Sequence, residues 1–203
     1  MKAKVAHKRS RPSLIEQTRR AQIVAAAIDV IADVGYARAT FAQIAKRAGL
    51  SSTGLISYHF ADKDELDGAI AASVIDRLSQ HMTAAMVDVP DPQAALVAYI
   101  TGLIGFMQHN PPAMQALFGI VLHGGVSYDG ASEREATSGL RDILRWGQTT
   151  GQFRAFDLTV MATTIQRSLD GIPLAQATNP TLDLDAYARE LITIFTLATR
   201  KEV

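Results

Sequence analysis

The chain contains no cysteine and carries no net charge. The first absence excludes disulfide bonds, thiolate zinc sites, cysteine-bound iron–sulfur clusters and a cysteine nucleophile. In the 203 residues, 20 Lys and Arg balance 20 Asp and Glu, and 48% of the residues are hydrophobic. This composition is typical of a globular protein and excludes a mostly disordered chain, a collagen and a coiled-coil rod. The basic N-terminus has no apolar segment behind it, so we expect no secretory signal and a cytoplasmic protein.

Long hydrophobic runs are also missing. Residues 94–107 form an uncharged stretch, but a membrane-spanning helix needs about 20 apolar residues. The sequence Gln108-His109-Asn110-Pro111-Pro112 then interrupts the run. We therefore predict no membrane span, and we expect helices that are apolar all round to be buried inside a helical domain.

Motifs for metal, phosphate and nucleophilic chemistry are absent. The sequence holds no H-E-x-x-H, no G-x-S-x-G and no P-loop. The five histidines, at positions 7, 59, 81, 109 and 123, do not show the i, i+4 spacing of a helical metal site. We predict no catalytic residue, no metal and no cofactor.

The neutral total hides two opposite halves. Residues 1–63 hold 11 Lys and Arg against 4 Asp and Glu, whereas residues 64–203 hold 9 against 16. A basic end attracts polyanions such as nucleic acid, while an acidic remainder limits which face can dock. A solvated basic tail is the alternative explanation of the same imbalance.

Helical spacing and helix caps predict an all-α fold. Residues 1–13 show no periodicity, and we interpret them as a flexible basic arm. After that, apolar residues recur at helical spacing and each segment has a plausible start or stop signal. The nine predicted helices cover about residues 16–34, 41–48, 52–60, 63–87, 92–109, 111–123, 132–150, 158–178 and 184–200. No convincing alternating strand is present.

Residues 40–60 predict a helix-turn-helix. Thr40 and Gln43 match a capping box, Gly49 supplies the turn, and a second short helix, capped by Ser51 or Ser52, ends near Phe60. One side of that helix is small and polar, which allows close approach to base edges. Leu55, Ile56 and Phe60 are placed to face the core. The alternative is that the hydroxyls are only caps and that Tyr58 and His59 are packing residues.

These residues resemble the DNA-binding domain of the TetR family of bacterial transcriptional regulators. The resemblance covers residues 20–66 and depends on Ile44-Ala45-Lys46-Arg47-Ala48-Gly49-Leu50-Ser51 and Tyr58-His59-Phe60-Ala61-Asp62-Lys63-Asp64-Glu65-Leu66. It implies that the recognition helix contacts the bases and the DNA backbone and that His59 and Lys63 contact phosphates. Thr40 and Gln43 would touch the DNA backbone. The implied DNA-binding residues are Thr40, Gln43, Ser52, Thr53, Gly54, Ser57, Tyr58, His59 and Lys63.

The resemblance also implies an effector pocket between the middle helices. From residue types alone, a filled core with histidines at helix ends is the favoured alternative. The candidate ligand-binding residues are Tyr99, Phe106, Met107, His109, Phe118, His123, Trp146, Gln166, Arg167 and Asp170.

In the family the last two helices usually pair with their copies in a homodimer. Apolar residues at helical spacing either form this interface or close the monomer core. They are Leu158, Met161, Ile165, Leu169 and Ile172 in one helix and Leu191, Ile194, Phe195 and Ala198 in the other.

Together these observations predict a DNA-binding regulator. The resemblance implies that it is homodimeric and ligand-responsive, most simply a repressor that a small molecule releases from a palindromic operator. The domains would be an arm (1–13), a DNA-binding domain (14–66) and an effector-binding and dimerisation domain (67–203). Additional phosphate attraction would come from Lys8, Arg9, Arg11, Arg19, Arg20 and Lys46. The alternatives are an all-α enzyme that uses His109, His123 or Asp170 as acid or base, and a DNA-binding protein without a ligand.

Overall fold

The computed structural model describes residues 13–127 and 129–201. In these ranges every element of secondary structure is a helix. The all-α prediction is confirmed. A short 3-10 helix covers Tyr36–Arg38, and an isolated bridge pairs Phe153 with Arg200. The α-helices are α1 (Leu14–Val34), α2 (Phe41–Arg47), α3 (Gly54–His59), α4 (Lys63–Ala85), α5 (Pro92–His109), α6 (Pro111–Leu122), α7 (Gly130–Ala136), α8 (Ser138–Thr149), α9 (Leu158–Asp170), α10 (Ile172–Thr178) and α11 (Leu184–Thr199).

Side-chain caps begin most of the predicted helices where the sequence places them. The capping box is present: Thr40 Oγ1 accepts from the Gln43 amide at 3.3 Å, and Gln43 Oε1 accepts from the Thr40 amide at 2.9 Å. The carboxylates of Asp62, Asp91 and Asp157 each accept the amide three residues on, at 2.8–2.9 Å. These bonds satisfy amides that have no partner inside the helix.

Two predicted helices are each divided in two. Instead of one helix from Ser132, α7 begins after Asp129, whose carboxylate accepts the amides of Ala131 and Ser132 at 2.9 and 3.0 Å. Helix α7 therefore begins two residues earlier than predicted, and it ends at Ala136 before α8 begins at Ser138.

The second division separates α9 from α10 at Gly171. Pro173 follows in the first turn of α10, and proline has no amide to donate back along a continuous helix. The apolar spacing continues across this break, which is why the sequence suggested one helix.

Two hydrophobic cores are stacked along the chain. The first joins α1–α4 to the inner faces of α5 and α6, and the second joins α5, α8, α9 and α11. Leu78 of α4 and Met114 of α6 pack against both cores. Helix α4 runs unbroken across residue 66, so the division into domains at that residue stays a prediction.

The apolar stripes expected to form the dimer interface mostly close the monomer core. Ile165 and Leu169 of α9 are 0% exposed, and Phe195 of α11 is 4% exposed. A different set on the same two helices faces outward: Val160, Ile194 and Leu197 are 65%, 47% and 57% exposed. Ile194 alone belongs to both the predicted interface and this outward set.

Across the described ranges, none of the helices combines the length and apolar character needed to cross a membrane. Residues 1–12 of the predicted arm, with Lys8, Arg9 and Arg11, lie outside the described residues.

Candidate DNA-binding site

The turn between α2 and α3 depends on a glycine. Gly49 has a φ of +65°, a left-handed conformation that glycine adopts without a side-chain clash. The next amide, of Leu50, donates back to the Ala45 carbonyl at 2.9 Å and closes the end of α2. Ile44 and Ile56, 3% and 0% exposed, anchor the two helices in the first core. The helix-turn-helix is therefore held rigidly against α1.

The outer face of α3 is exposed along its length. Ser52, Thr53, Gly54, Ser57 and Tyr58 are all exposed, and Tyr58 keeps 78% of its surface. The ring of Tyr58 meets that of His59 edge-on, with centroids 5.1 Å apart. An exposed aromatic beside small hydroxyl side chains is suited to phosphate and base contacts.

Two predictions for α3 are wrong. Leu55 is 39% exposed and does not face the core, because only Ile56 and Phe60 of the three candidates point inward. The helix begins at Gly54 without a side-chain cap, so neither Ser51 nor Ser52 caps it.

The fold has space for a side chain at Gly54. An ideal Cβ there would meet only the Ser52 hydroxyl, at 3.5 Å. Interior packing therefore does not require glycine at this exposed position. A partner that approaches the backbone closely from outside would require it.

Arg20 of α1 fixes the end of α3. Its guanidinium donates to the His59 carbonyl and, at 3.0 Å, to the Glu65 carboxylate, and it stacks 4.1 Å from the centre of the buried Phe60 ring. Glu65 also accepts the Ala61 amide at 2.8 Å. Arg20, predicted to attract phosphate, thus joins α1, α3 and α4 and fixes the orientation of α3.

Among the other cations, Lys46 is exposed and Arg19 donates to the Gln22 side chain at 2.7 Å. Arg47 pairs with Asp33 and, at 3.6 Å, with Asp29. Of the two cations that end α2, Lys46 has its charge directed to solvent, where it strengthens attraction to a polyanion.

Lys63, the first residue of α4, lies against a residue that the sequence analysis missed. Its Nζ is 3.7 Å from the centre of the Tyr36 ring, while the side chain remains exposed. The Tyr36 hydroxyl donates to Asp67 Oδ2 at 2.5 Å. Asp67 is 1% exposed, and burial raises the pKa of its carboxyl. The i, i+4 spacing of Lys63 and Asp67 was the only local signal for this cluster.

The candidate ligand-binding residues occupy different environments. Phe106 is buried in the first core and Met107 in the second, and Phe118 is half-buried. His109, His123 and Trp146 are exposed. Each of these two histidines places Nδ1 within 2.7–2.8 Å of a carbonyl four residues earlier in its own helix or helix end.

Four candidates do come together in a polar chain across the second core. The Tyr99 hydroxyl donates to Gln166 Oε1 at 2.8 Å, and Gln166 Nε2 donates to Asp170 at 2.8 Å. Arg167 pairs with Asp170 at 2.7 Å and also with Glu133 of α7. Burial, and secondarily the charge of Asp170, raises the pKa of Tyr99 to about 12, so this phenol stays a neutral donor.

Comparison with known proteins connects this site to one family. Residues 23–70 match the family described as bacterial regulatory proteins, tetR family. The HTH-type transcriptional regulator BetI of Stenotrophomonas maltophilia (strain R551-3) is 36% identical over 102 residues, 50% of this chain and 52% of that protein. BetI of Yersinia pestis (strain Pestoides F) is 38% identical over 105 residues, again 50% of this chain and 52% of the relative. The chain spans about half the length of the curated relatives it matches.

The fold of most of the chain also has solved counterparts. A TetR transcription regulator from Haloarcula marismortui ATCC 43049 superposes with a TM-score of 0.77 at 20% identity, covering 91% of this chain and 100% of that one. At this identity the likeness concerns the arrangement of helices alone.

Proposed function

We propose that the chain belongs to the TetR family of bacterial regulatory proteins and that it is a homodimeric transcriptional regulator whose operator binding responds to a small molecule. The observation that carries the proposal is the exposed, small-residue face of α3, held by buried anchors against α1. It has the form of a helix that enters a major groove.

In the proposed complex, Thr53, Gly54, Ser57 and Tyr58 face base edges and backbone. Ser52, His59 and Lys63 contact phosphates, and Thr40 and Gln43 approach the backbone from the start of α2. The open face around Gly54 supports the close approach, because no interior contact fills it. Phosphate contacts position the protein, and contacts to base edges choose the sequence.

A second copy of the chain completes the reading unit. The outward apolar residues of α9 and α11, Val160, Ile194 and Leu197, support dimerisation through these helices. A two-fold dimer reads two half-sites, so the operator is palindromic with half-site centres about 34–36 Å apart or a multiple of this.

The effector domain is the part that contains the second core. The chain Tyr99–Gln166–Asp170 places polar groups among apolar side chains, as small-molecule sites do. A ligand with an apolar body and one hydrogen-bonding group fits this chemistry. Its binding shifts the dimer away from the operator-competent arrangement, with a coupling of about 1–3 kcal/mol, and so relieves repression in the cytoplasm.

The enzyme alternative finds little support. His109 and His123 are exposed and each lies against a carbonyl of its own helix or helix end, while Asp170 accepts from Gln166 and Arg167. The curated relatives are named as regulators.

Selection of bound duplexes tests the proposal. The purified full chain is mixed with sheared genomic DNA, and retained fragments are sequenced. We expect a palindromic motif whose affinity falls steeply with salt, because log K falls by about 0.9 per log unit of salt for each phosphate contacted. Retention of fragments without a common motif, or binding that salt does not weaken, would contradict the proposal.

A further inference from the structure

Tyr36 lies between the DNA-facing start of α4 and the far end of α6. On one side its ring supports the Lys63 ammonium at 3.7 Å. On the other, the His123 ring lies 4.9 Å away, centre to centre. The hydroxyl is fixed by the buried carboxylate of Asp67 at 2.5 Å. One side chain therefore touches both the proposed phosphate contact and the C-terminal part of the chain.

The end of α6 and the residues that follow it pack tightly against Tyr36. A Cβ at Gly119 would lie 3.0 Å from the Tyr36 Cβ. A Cβ at Gly125 would lie 2.9 Å from the Tyr36 hydroxyl and 2.7 Å from Asp67 Oδ2. The Gly125 amide donates to the Ile120 carbonyl at 2.9 Å, so this loop is tied to α6. A displacement of α6 must move Tyr36 or be resisted by it.

We propose that Tyr36 is a positioning residue for DNA binding: its ring holds the Lys63 ammonium in place for a phosphate, and the end of α6 sets where that ring lies. This inference rests on the proposed function and adds a route by which the C-terminal part controls operator affinity. Lys63 stays exposed, so its held ammonium is free to meet DNA. Holding it in advance reduces the side-chain freedom lost on binding.

The buried carboxylate beneath Tyr36 supports a role beyond stability. Because burial raises the pKa of Asp67, the folded chain binds this proton more tightly than the unfolded chain does. Stability therefore falls as pH rises between the unfolded and folded pKa values of this carboxyl. A residue with this cost is better explained by the orientation it gives to Tyr36 than by packing.

A double-mutant cycle tests the inference on the full-length protein. The probe is a fluorescein-labelled duplex that the wild-type protein selects, and the readout is its dissociation constant by anisotropy. Tyr36→Leu removes the ring, and Lys63→Met removes the charge while keeping the length of the side chain. We expect Tyr36→Leu to weaken binding about tenfold for the dimer, since an exposed cation–π contact is worth about threefold in each copy. In the Lys63→Met background, Tyr36→Leu should change nothing further.

The link to α6 is tested from the opposite side with Gly125→Ala. The added methyl pushes on Tyr36 and Asp67 without altering any proposed DNA contact. We expect Gly125→Ala to weaken binding about fivefold when Lys63 is present. In the Lys63→Met background, it should cause no further loss of affinity. The matched control is Gly68→Ala, one residue beyond Asp67 on α4, where a Cβ meets nothing within 4 Å. It should bind as the wild type does.

Helical circular dichroism establishes that each variant folds. If Tyr36→Leu does not fold, Gly125→Ala decides. The third variant is His123→Ala, which removes the ring that lies against Tyr36 and should weaken binding only while Lys63 is present. Equal losses with and without Lys63, or wild-type affinity in the folded Tyr36→Leu and Gly125→Ala proteins, would overturn the inference and leave the proposed function standing. A wild-type protein that selects no duplex would overturn both.

Discussion

Tyr58→Ala will weaken operator binding by about a hundredfold and leave the fold intact. The side chain is 78% exposed, and its only ring contact among the described residues is with its neighbour His59. Exposed substitutions of this kind change the free energy of unfolding by less than about 0.5 kcal/mol. A lost DNA contact costs about 1–3 kcal/mol, and a symmetric dimer loses two of them.

Anisotropy with the selected duplex measures this effect, alongside a thermal melt. Val87→Ala is the control, because Val87 is 63% exposed on the turn after α4 and far along the chain from α3. It should leave the dissociation constant unchanged. Wild-type affinity of Tyr58→Ala would remove α3 from the DNA interface.

Leu197→Glu is expected to convert the dimer into folded monomers. Leu197 is 57% exposed on α11 in the single chain, so a carboxylate there is tolerated in the monomer. In the proposed dimer the same position is covered, and two buried like charges would oppose association. Each monomer would then read one half-site alone, and operator affinity would fall more than a hundredfold because the two reading heads no longer act together.

Light scattering after size exclusion gives the mass, and circular dichroism gives the helical content. The same substitution at Leu174, 55% exposed on α10 and outside the proposed interface, is the matched control. A Leu197→Glu protein that remains dimeric would show that α11 does not form the interface.

Local signals explain which elements could be predicted from the sequence. A helix cap joins residues only three positions apart. The pairs Thr40 with Gln43 and Asp62 with Glu65 can therefore be recognised in the sequence. The left-handed turn at Gly49 likewise needs only one residue type. These features define the helix-turn-helix, but the sequence placed Leu55 on the buried face of α3, where the structure leaves it 39% exposed.

The contacts that orient α3 could not be predicted from such short-range signals. Arg20 reaches across 39 residues to His59 and 45 to Glu65, and Tyr36 reaches across 31 to Asp67. No spacing rule connects such pairs. The sequence therefore predicted Arg20 to be a surface cation and indicated no role for Tyr36 or Asp67.

Apolar spacing also cannot say what covers a helix face. Ile165 and Val160 lie on the same helix, yet one is 0% and the other 65% exposed. The hydrophobic effect favours burial against the monomer core and against a second copy alike. Spacing alone therefore left open whether the apolar residues of these helices close the monomer core or form the interface, and the roles of the ligand candidates stay predictions.

The most direct test of the account is the distance between the two copies of α3 on DNA. The chain has no cysteine, so Ala61→Cys, at an exposed position two residues after the end of α3, carries one spin label per copy. Double electron–electron resonance on the complex with the selected duplex should give a narrow distribution centred near 34–36 Å, one helical turn, or near a multiple of this. An absent dipolar coupling, or a separation far below one turn, would contradict the claim that paired α3 helices read successive major grooves.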